Sequence, residues 1–232
     1  MIHQTFLTES SRKIHIQIFG KNDYDWKNPK IHDEPYKYYK EVIFSNTSIE
    51  RIHTLKQVHG EKLYSVSELC NSEIQEGDGL YTEETNEVLM VRTADCMPIF
   101  FWSETGDIAG IIHSGWRGTL AGITEKSLLY LLEKYPSIKV FHVYIGPCIS
   151  QKNYEVQKDL VNMFSQKCSE SIVSQNKKYY LSMEKFVIFQ LKKSQIPFTL
   201  KKASVCTKDD PNYFSHRGGD SGRNLNCIYM TP

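Results

Sequence analysis

The sequence predicts an α+β fold in which mixed β-sheets pack together with flanking helices. Strand-like segments dominate the first half and helical periodicity the second, without a regular alternation of strand and helix. The chain has 232 residues, enough for a sizeable core, and no Pro/Gly/Ser-rich stretch or charge run divides it. We therefore expect a single compact domain over residues 1–232.

Short segments rich in β-branched and aromatic residues, separated by turn residues, predict the strands. They cover residues 13–19, 41–45, 62–66, 88–93, 97–102 and 108–114. A further strand is predicted over residues 138–145, and Gly146-Pro147 then forms a turn. The C-terminal stretch, residues 201–230, indicates a strand, a polar turn-rich loop and a final strand.

Three segments have apolar residues at helical spacing. The first runs from Thr119 to Tyr135, where Pro136 follows as a stop signal. The second covers residues 156–164. The third begins at Ser182, whose hydroxyl can cap the free amides, and ends before Pro197.

Charge and composition favour a small-molecule partner. The formal net charge is +1, which provides no overall attraction for nucleic acid or anionic lipid. The first 20 residues lack the apolar core of a signal peptide, and no segment reaches membrane-spanning length. We therefore expect a cytoplasmic protein without nucleic-acid or membrane partners, and the sequence leaves its oligomeric state open.

The cysteines occur singly, without a C-x-x-C pair, in a chain too large to need disulfides for stability. Reduced thiols are therefore expected for all six of them: Cys70, Cys96, Cys148, Cys168, Cys206 and Cys227. For each one, a small buried apolar residue is the default interpretation until another observation supports a metal or catalytic role.

One hairpin predicts a pair of metal ligands. If residues 103–106 form a four-residue loop, Trp102 lies opposite Asp107, and Cys96 then lies opposite His113. Opposed side chains share a face with Cβ atoms roughly 5 Å apart, close enough to bind one zinc ion. A core cysteine and a histidine that ends a strand remain an alternative. His59, which precedes Gly60 after an apolar run, is a third candidate and weak evidence alone.

Two further segments suit an anion or a polar ligand. In HSGWRG, Arg117 stands just before a helix opening near Thr119, where free amides attract anions. Near the C-terminus a Gly-rich loop carries a polar cluster: His216, Arg217, Asp220 and Arg223. A surface arginine beside a turn and a solvated loop are the respective alternatives.

A series of motifs resembles the laccase-domain (YfiH-like) proteins, from about residue 55 to the C-terminus. They are QVHG (57–60), DGLYT (78–82), TADC (93–96), HSGWRG (113–118), IGPCI (145–149), YEV (154–156), CT (206–207), FSHR (214–217) and GR (222–223). Motifs of this specificity in this order are not expected by chance.

The resemblance implies a zinc site formed by two histidines and a cysteine, which map onto His59, His113 and Cys96. It also implies phosphorolysis of adenosine, inosine, guanosine and methylthioadenosine, together with deamination of adenosine. Purine nucleosides and phosphate are thus the expected small-molecule partners.

Within this interpretation four side chains beside the metal are expected to contact the substrates. Arg117 and Arg223 are the candidates for phosphate, and His216 for proton transfer or base binding. Arg217 belongs to the same expected substrate site.

The chain departs from the family at two places. The arginine-, glycine- and serine-bearing stretch and the asparagine-leucine motif of the family are not recognisable around residues 19–34. In addition, Gly218 and Gly219 follow Arg217, where the family has a second arginine.

Three other functions compete. Histidine and cysteine also bind copper, as in a polyphenol oxidase, but the sequence has no H-x-H pair for a multicopper site. A cytoplasmic zinc amidase that edits peptidoglycan precursors would use the same open zinc. A non-enzymatic interaction module would bind no metal and turn over no substrate.

Overall fold

Two mixed β-sheets lie face to face at the centre of the protein. The computed structural model describes residues 1–33, 35–45, 49, 51–69 and 74–232. The strands are β1 (Ile2–Leu7), β2 (Lys13–Phe19), β3 (Arg51–His53), β4 (Leu63–Ser65), β5 (Gly79–Thr82), β6 (Glu87–Thr93), β7 (Met97–Ser103), β8 (Ala109–Ser114), β9 (Phe141–Ile145), β10 (Glu155–Val156), β11 (Ile172–Gln175), β12 (Lys178–Leu181), β13 (Phe198–Lys202) and β14 (Asn224–Thr231). The α-helices are α1 (Lys30–Asp33), α2 (Pro35–Val42), α3 (Trp116–Ala121), α4 (Ile123–Lys134), α5 (Lys158–Ser165) and α6 (Met183–Lys193).

The sheets combine parallel and antiparallel pairs, as the sequence predicts. Among the described residues, one sheet has the order β1-β2-β14-β6-β3, a second β13-β9-β7-β8-β5-β4, and a small third sheet β10-β12-β11. The pairs β3·β6, β4·β5 and β13·β9 are parallel. The hairpin β7–β8 is antiparallel and lies in the middle of the second sheet.

Side chains alternate between the two faces of the central strands, so the core forms separate layers on the two sides of the second sheet. Phe100 of β7 packs between the two large sheets, whereas its neighbour Phe101 packs on the opposite face against the helices. That face is covered by Leu128 of α4 and Phe186 of α6. Burying each of these side chains stabilises the fold by roughly 1.5–3 kcal/mol.

The outer face of the first sheet is covered by the helix α2. Tyr39 of this helix is buried against Cys227 and Tyr229 of β14, together with Phe44. The order of layers is therefore helix, sheet, sheet and helix, and the shared sheets join them into a single domain.

The strand predicted over residues 41–45 is wrong. Glu41 belongs to α2, and the chain then turns, with the amides of Ile43 and Phe44 donating to the carbonyl of Tyr39. A short apolar run does not distinguish a strand from the buried end of a helix. The early elements α1, α2 and β1 were not predicted.

The predicted helix over residues 119–135 is two helices. Gly122 has a left-handed φ of 86° and ends α3, donating its amide to the carbonyls of Gly118 and Thr119. The helix α4 then continues to Lys134, just before Pro136. The apolar spacing is nearly continuous across this break, so periodicity alone does not reveal it.

The remaining helices lie near their predicted positions. Ser182 caps α6 as expected, because its hydroxyl accepts the amide of Lys185 at 3.2 Å. Val156, expected to begin the second helix, instead pairs with Tyr179 in the small sheet. The helix α5 starts two residues later, at Lys158.

Free thiols are found at every cysteine that the structure describes: Cys96, Cys148, Cys168, Cys206 and Cys227. Cys70, also expected to be reduced, lies outside the described residues. Within the described part of the chain, every helix is too short or too polar to cross a bilayer.

Candidate functional site

Cys96 and His113 approach each other at the open end of the β7–β8 hairpin. The loop comprises residues 104–107, because the amide of Ser103 donates to the carbonyl of Ile108 at 3.0 Å. His113 consequently pairs with Pro98 rather than with Cys96, so the expected register is wrong by two residues. Side chains alternate with a period of two, and an even shift keeps Cys96 and His113 on one face.

His59 reaches the same point from the loop between β3 and β4. Its φ is 60°, a left-handed conformation that turns the chain sharply before Gly60. The imidazoles of His59 and His113 lie edge to face, with ring centres 4.8 Å apart. The donor atoms of these two side chains and of Cys96 all lie within 4.8 Å of one another, a cluster that can hold a metal ion.

Asp78 holds the residues of this cluster in position from the protein interior. Its carboxylate is fully buried and accepts the backbone amides of Val58, His59 and Gly60 at 3.2, 3.0 and 2.7 Å. It also lies 2.7 Å from Nδ1 of His113. One carboxylate thus fixes both the loop that carries His59 and the ring orientation of His113.

The contact with Asp78 decides which nitrogen of His113 is free. In the neutral ring, a carboxylate beside Nδ1 selects the tautomer that carries its proton there, so loss of the second proton frees the lone pair of Nε2 for a metal. Carboxylate–histidine–metal arrangements of this kind are common in metalloproteins. The donor set is one thiolate and two imidazoles, which suits zinc and also copper.

The charges within the cluster are strongly coupled. Burial opposes ionisation of Cys96, but hydrogen bonds from His113 and His59 lower the pKa of its thiol to about 7. Burial likewise disfavours the imidazolium of His113, but Asp78 and Cys96 together raise its pKa to about 9. The metal-free cluster therefore holds a proton between a thiolate and an imidazole, and a divalent cation can replace that proton.

Two glycines allow the ligand loop and α3 to approach closely. A Cβ atom on Gly115 would lie 2.7 Å from Cδ2 of His59 and 3.1 Å from Sγ of Cys96. A Cβ atom on Gly118 would lie 2.7 Å from the carbonyl oxygen of Gly60. Larger residues at these positions would push the helix away from the donor cluster.

The cluster opens into a cleft of about 750 Å³. The cleft is lined by every residue predicted from the sequence to bind metal or substrate: His59, Cys96, His113, Arg117, His216, Arg217 and Arg223. Further lining residues had no predicted role: Lys56, Gln57, Arg92, Ala94, Asp95, Trp116, Ile149, Tyr154 and Met183. The cleft thus joins a metal-binding cluster to several cations.

Arg117 lies inside the first turn of α3 rather than before the helix. The expected opening near Thr119 was three residues late, because Gly115 is the N-cap and Trp116 the first helical residue. The guanidinium lies over the ring of Trp116, 4.5 Å from its centre. It is exposed and forms no ion pair with the described residues, so it is available to an anion in the cleft.

Arg217 is held in place by Asp95, the residue before Cys96. Asp95 has a left-handed φ of 85°, and its carboxylate accepts the amide of Arg217 and the hydroxyl of Thr207, both at 2.7 Å. The guanidinium of Arg217 donates to the carbonyl of Glu155 at 2.9 Å. Asp95 therefore ties the C-terminal loop directly to the strand end that carries the thiolate.

The other members of the C-terminal polar cluster separate into two groups. His216 and Arg223 are exposed and line the cleft. Asp220 does not line it, because its carboxylate accepts the amide of Ser215 at 2.9 Å and pairs with Lys21 at 2.8 Å. Asp220 closes the loop rather than contributing to the cleft.

Arg92 adds a cation that the sequence did not identify. It is the exposed residue near the end of the otherwise buried strand β6, and its backbone N–H and C=O are both bonded to the side-chain amide of Gln57, at 2.8 Å each. The sequence analysis likewise assigned no role to Gln57, Asp78 and Asp95, although all three lie in motifs shared with the family. Their function as backbone clamps depends on contacts across 18 to 122 residues of sequence.

The comparison with known families agrees with this geometry. The family described as "Multi-copper polyphenol oxidoreductase laccase" matches residues 36–231. The chain belongs to this family. The match extends closer to the N-terminus than the motifs do, and includes all the residues of the donor cluster.

Relatives in the family include proteins named purine nucleoside phosphorylase. One from Campylobacter jejuni is 30% identical over 207 residues, which cover 88% of this chain and 86% of the relative. Another from Borreliella burgdorferi is 32% identical over 174 residues, covering 72% of this chain and 74% of the relative.

Solved structures support the fold. The hypothetical protein YfiH of Bacillus licheniformis superposes with a TM-score of 0.75 at 21% identity, covering 95% of this chain and 93% of that one. YlmD of Geobacillus stearothermophilus gives a TM-score of 0.76 at 23% identity, with 95% and 92% covered. The arrangement of mixed sheets and helices is therefore shared with these two structures.

Proposed function

We propose that this protein is a zinc-dependent purine nucleoside phosphorylase that also deaminates adenosine. The observation that carries the proposal is the meeting of three metal donors and several exposed arginines in one cleft. The names of the relatives from C. jejuni and B. burgdorferi support the same activity. Adenosine, inosine, guanosine and methylthioadenosine are the proposed nucleosides, and phosphate is the second substrate.

His59, Cys96 and His113 would hold the zinc ion. Three protein ligands are typical of catalytic zinc, which keeps a coordination position open, whereas structural zinc has four. When bound, zinc supplies Lewis-acid activation of a nucleophilic oxygen at that position. We propose zinc as the resident metal; the same donors can also bind copper.

Phosphorolysis requires an anion site beside C1′ of the ribose. Arg117 and Arg223 are the proposed phosphate ligands, because both guanidinium groups are exposed to the cleft. Arg217, whose backbone amide is fixed by Asp95, would bind the substrate in the same cleft. A planar guanidinium can donate two parallel hydrogen bonds to an oxyanion, which orients it as well as neutralising it.

The departing purine needs a proton at a ring nitrogen. His216 lines the cleft on the glycine-bearing loop segment that ends at Gly218 and Gly219, and it is exposed. We assign it proton transfer or base binding. An imidazole can both donate and accept a proton in catalysis.

Deamination of adenosine would use the same metal and a different nucleophile. In deamination water attacks C6 of the purine and ammonia leaves, whereas in phosphorolysis phosphate attacks C1′ of the ribose and the purine leaves. This reaction does not need the phosphate ligands. We also propose a cytoplasmic location, which the free thiols of the described cysteines support.

The test is to incubate the purified protein with adenosine, inosine and methylthioadenosine, each with and without phosphate, and to identify the products by chromatography. We expect free purine base and a ribose 1-phosphate only when phosphate is present. Inosine formed from adenosine without phosphate would report deamination.

A matched preparation treated with a chelator and then resupplied with zinc serves as the control. Activity should disappear with the metal and return with it. Base release that is independent of phosphate would show hydrolysis, and the absence of any purine product would refute the proposed function.

A further inference from the structure

Two cysteines lie in neighbouring segments that both contact Asp95. Cys148, after β9, and Cys206, after β13, face each other in an isolated parallel bridge. The amide of Cys148 donates to the carbonyl of Val205 at 3.3 Å, and the amide of Thr207 donates to the carbonyl of Cys148 at 3.1 Å. The bridge therefore fixes the two cysteines directly opposite each other.

This placement suits a disulfide bond. Adjacent strands are about 4.8 Å apart, within the range of roughly 4.4–6.8 Å that Cα atoms span in disulfides. Opposed residues in neighbouring strands present their side chains on the same face. Cys148 and Cys206 both line a second cleft, of about 860 Å³, so a small oxidant can reach them.

The two thiols differ in reactivity. Sγ of Cys206 accepts the amide of Ser150 at 3.3 Å and the side-chain amide of Asn153 at 3.2 Å. Partial burial works against its thiolate, but these hydrogen bonds lower the pKa of Cys206 below the ordinary value. Burial raises the pKa of Cys148. Cys206 is thus suited to react first, and Cys148 to resolve the product.

We propose that Cys148 and Cys206 form a reversible thiol–disulfide pair that is oxidised by hydrogen peroxide. The thiolate of Cys206 attacks one peroxide oxygen, the O–O bond breaks, and the leaving hydroxide takes up a proton to form water. Sulfur of Cys148 then attacks sulfur of the sulfenic acid. The S–S bond forms, the S–O bond breaks, and the thiol proton leaves with hydroxide as a second water. Two thiols and one peroxide give one disulfide and two waters.

The position of the pair connects it to the substrate cleft. The residue after each cysteine bonds to Asp95: the amide of Ile149 donates to its carbonyl at 3.0 Å, and the hydroxyl of Thr207 to its carboxylate at 2.7 Å. A bond between the two sulfurs would join the two segments that hold Asp95. Formation of this disulfide can be measured without an enzymatic assay, so its failure would not refute the proposed enzymatic function.

The experiment uses the full-length protein, reduced, desalted and treated with graded hydrogen peroxide. Free thiols are then alkylated after unfolding, and the chain is digested with trypsin without reductant. Cys148 and Cys206 fall on separate tryptic peptides, residues 140–152 and 203–208. We expect these two peptides to become linked, lighter by two hydrogen atoms than their sum, and to separate again with dithiothreitol.

Single variants distinguish a specific pair from general oxidation. In Cys148→Ser, Cys206 should stop at a sulfenic acid that dimedone traps, whereas in Cys206→Ser the thiol of Cys148 should remain reduced. Cys168→Ser, which removes a buried thiol elsewhere, should still form the link. The proposal is overturned if peroxide leaves both thiols alkylatable, or if Cys206 oxidises beyond sulfenic acid in the native chain without linking to Cys148.

Discussion

The proposed substrate cleft combines two groups of residues that are held in different ways. The metal wall consists of His59, Cys96 and His113 with Asp78 behind them, and the cation wall consists of Arg117, Arg217 and Arg223. On the metal wall the supporting groups are buried: His113 is 3% exposed, and Asp78, which orients it, is 0% exposed. On the cation wall, Arg117, Arg217 and Arg223 are all exposed. The first wall is held by hydrogen bonds in the protein interior, and the second presents side chains to solvent.

This difference separates two kinds of contribution. A buried carboxylate that accepts three amides and an imidazole cannot be changed without disturbing the ligand geometry. An exposed guanidinium can be shortened with little cost to the fold. We therefore expect changes on the metal wall to affect every reaction of the cleft, and changes on the cation wall to affect the reactions that use an anion.

Loss of a metal ligand should have the largest effect. We expect Cys96→Ser to bind little zinc and to lose phosphorolysis and deamination together, by about a thousandfold or more, because the Lewis acid supplies several kcal/mol. His59→Ala and His113→Ala should behave alike, with the fold largely intact. Metal analysis and circular dichroism check this, with Cys206→Ser as the matched control. Stoichiometric zinc in all three variants would refute the ligand assignment.

Removal of a phosphate ligand should have the next largest effect. Arg117→Ala should lower phosphorolytic kcat/KM by about a hundredfold, since a charge-assisted contact contributes about 2–4 kcal/mol. Arg117→Lys keeps the charge but loses the planar fork, so a smaller loss or a raised KM for phosphate is expected. Zinc content should not change.

The matched control for Arg117 is Arg12→Lys, at a partly buried arginine that pairs with Asp107 and does not line the cleft. It should leave phosphate kinetics unchanged. Unchanged kinetics in Arg117→Lys and Arg117→Ala would exclude a phosphate site at this residue.

Substitution behind the metal should weaken binding without removing a ligand. Asp78→Asn keeps the shape but loses the charge beside Nδ1 of His113, and we expect a zinc affinity lower by about 10–100-fold. Competition with a chromogenic chelator measures this affinity. Asp107→Asn, at a surface carboxylate, is the control. Equal affinities in Asp78→Asn and the native protein would show that Asp78 only shapes the loop.

The smallest effect is expected for substitution of Asp95, which connects the strand end that carries Cys96 to the loop that carries Arg217. Asp95→Asn retains a residue that tolerates the left-handed conformation but replaces the carboxylate that holds Arg217 and Thr207. One such hydrogen bond contributes about 1 kcal/mol, so KM for substrate should rise up to about tenfold. Zinc content and kcat should change little. A loss of zinc would place Asp95 in support of Cys96 instead.

The proximity of Cys96 and His113 could be predicted from sequence, because counting residues back from the loop along β7 and β8 places both side chains on one face of the hairpin. The count was wrong by two residues because the hydroxyl of Ser103 accepts the amides of Asp107 and Ile108, at 3.0 and 3.2 Å, which lets the loop start one residue later. Such side-chain closure of a turn is invisible in an apolar pattern. The face was right because the error was even.

The supporting residues could not be predicted, because their roles depend on distant contacts. Asp95 holds an amide 122 residues further along the chain, and Gln57 pairs with the backbone of Arg92. Neither relation follows from local spacing. Likewise, the break at Gly122 and the helix α2 depend on how the chain packs against the finished sheets rather than on periodicity.

The most direct test of the two-wall account is the ratio of the initial rates at which adenine and inosine form from adenosine in the presence of phosphate, measured before the inosine is itself phosphorolysed. Both products come from one reaction mixture, so enzyme concentration and zinc content cancel. The account predicts that Arg117→Lys lowers this ratio relative to the native protein, because phosphorolysis loses its anion ligand while deamination retains the metal. An unchanged ratio in Arg117→Lys would contradict the account, since it would mean that the cation wall serves both reactions equally.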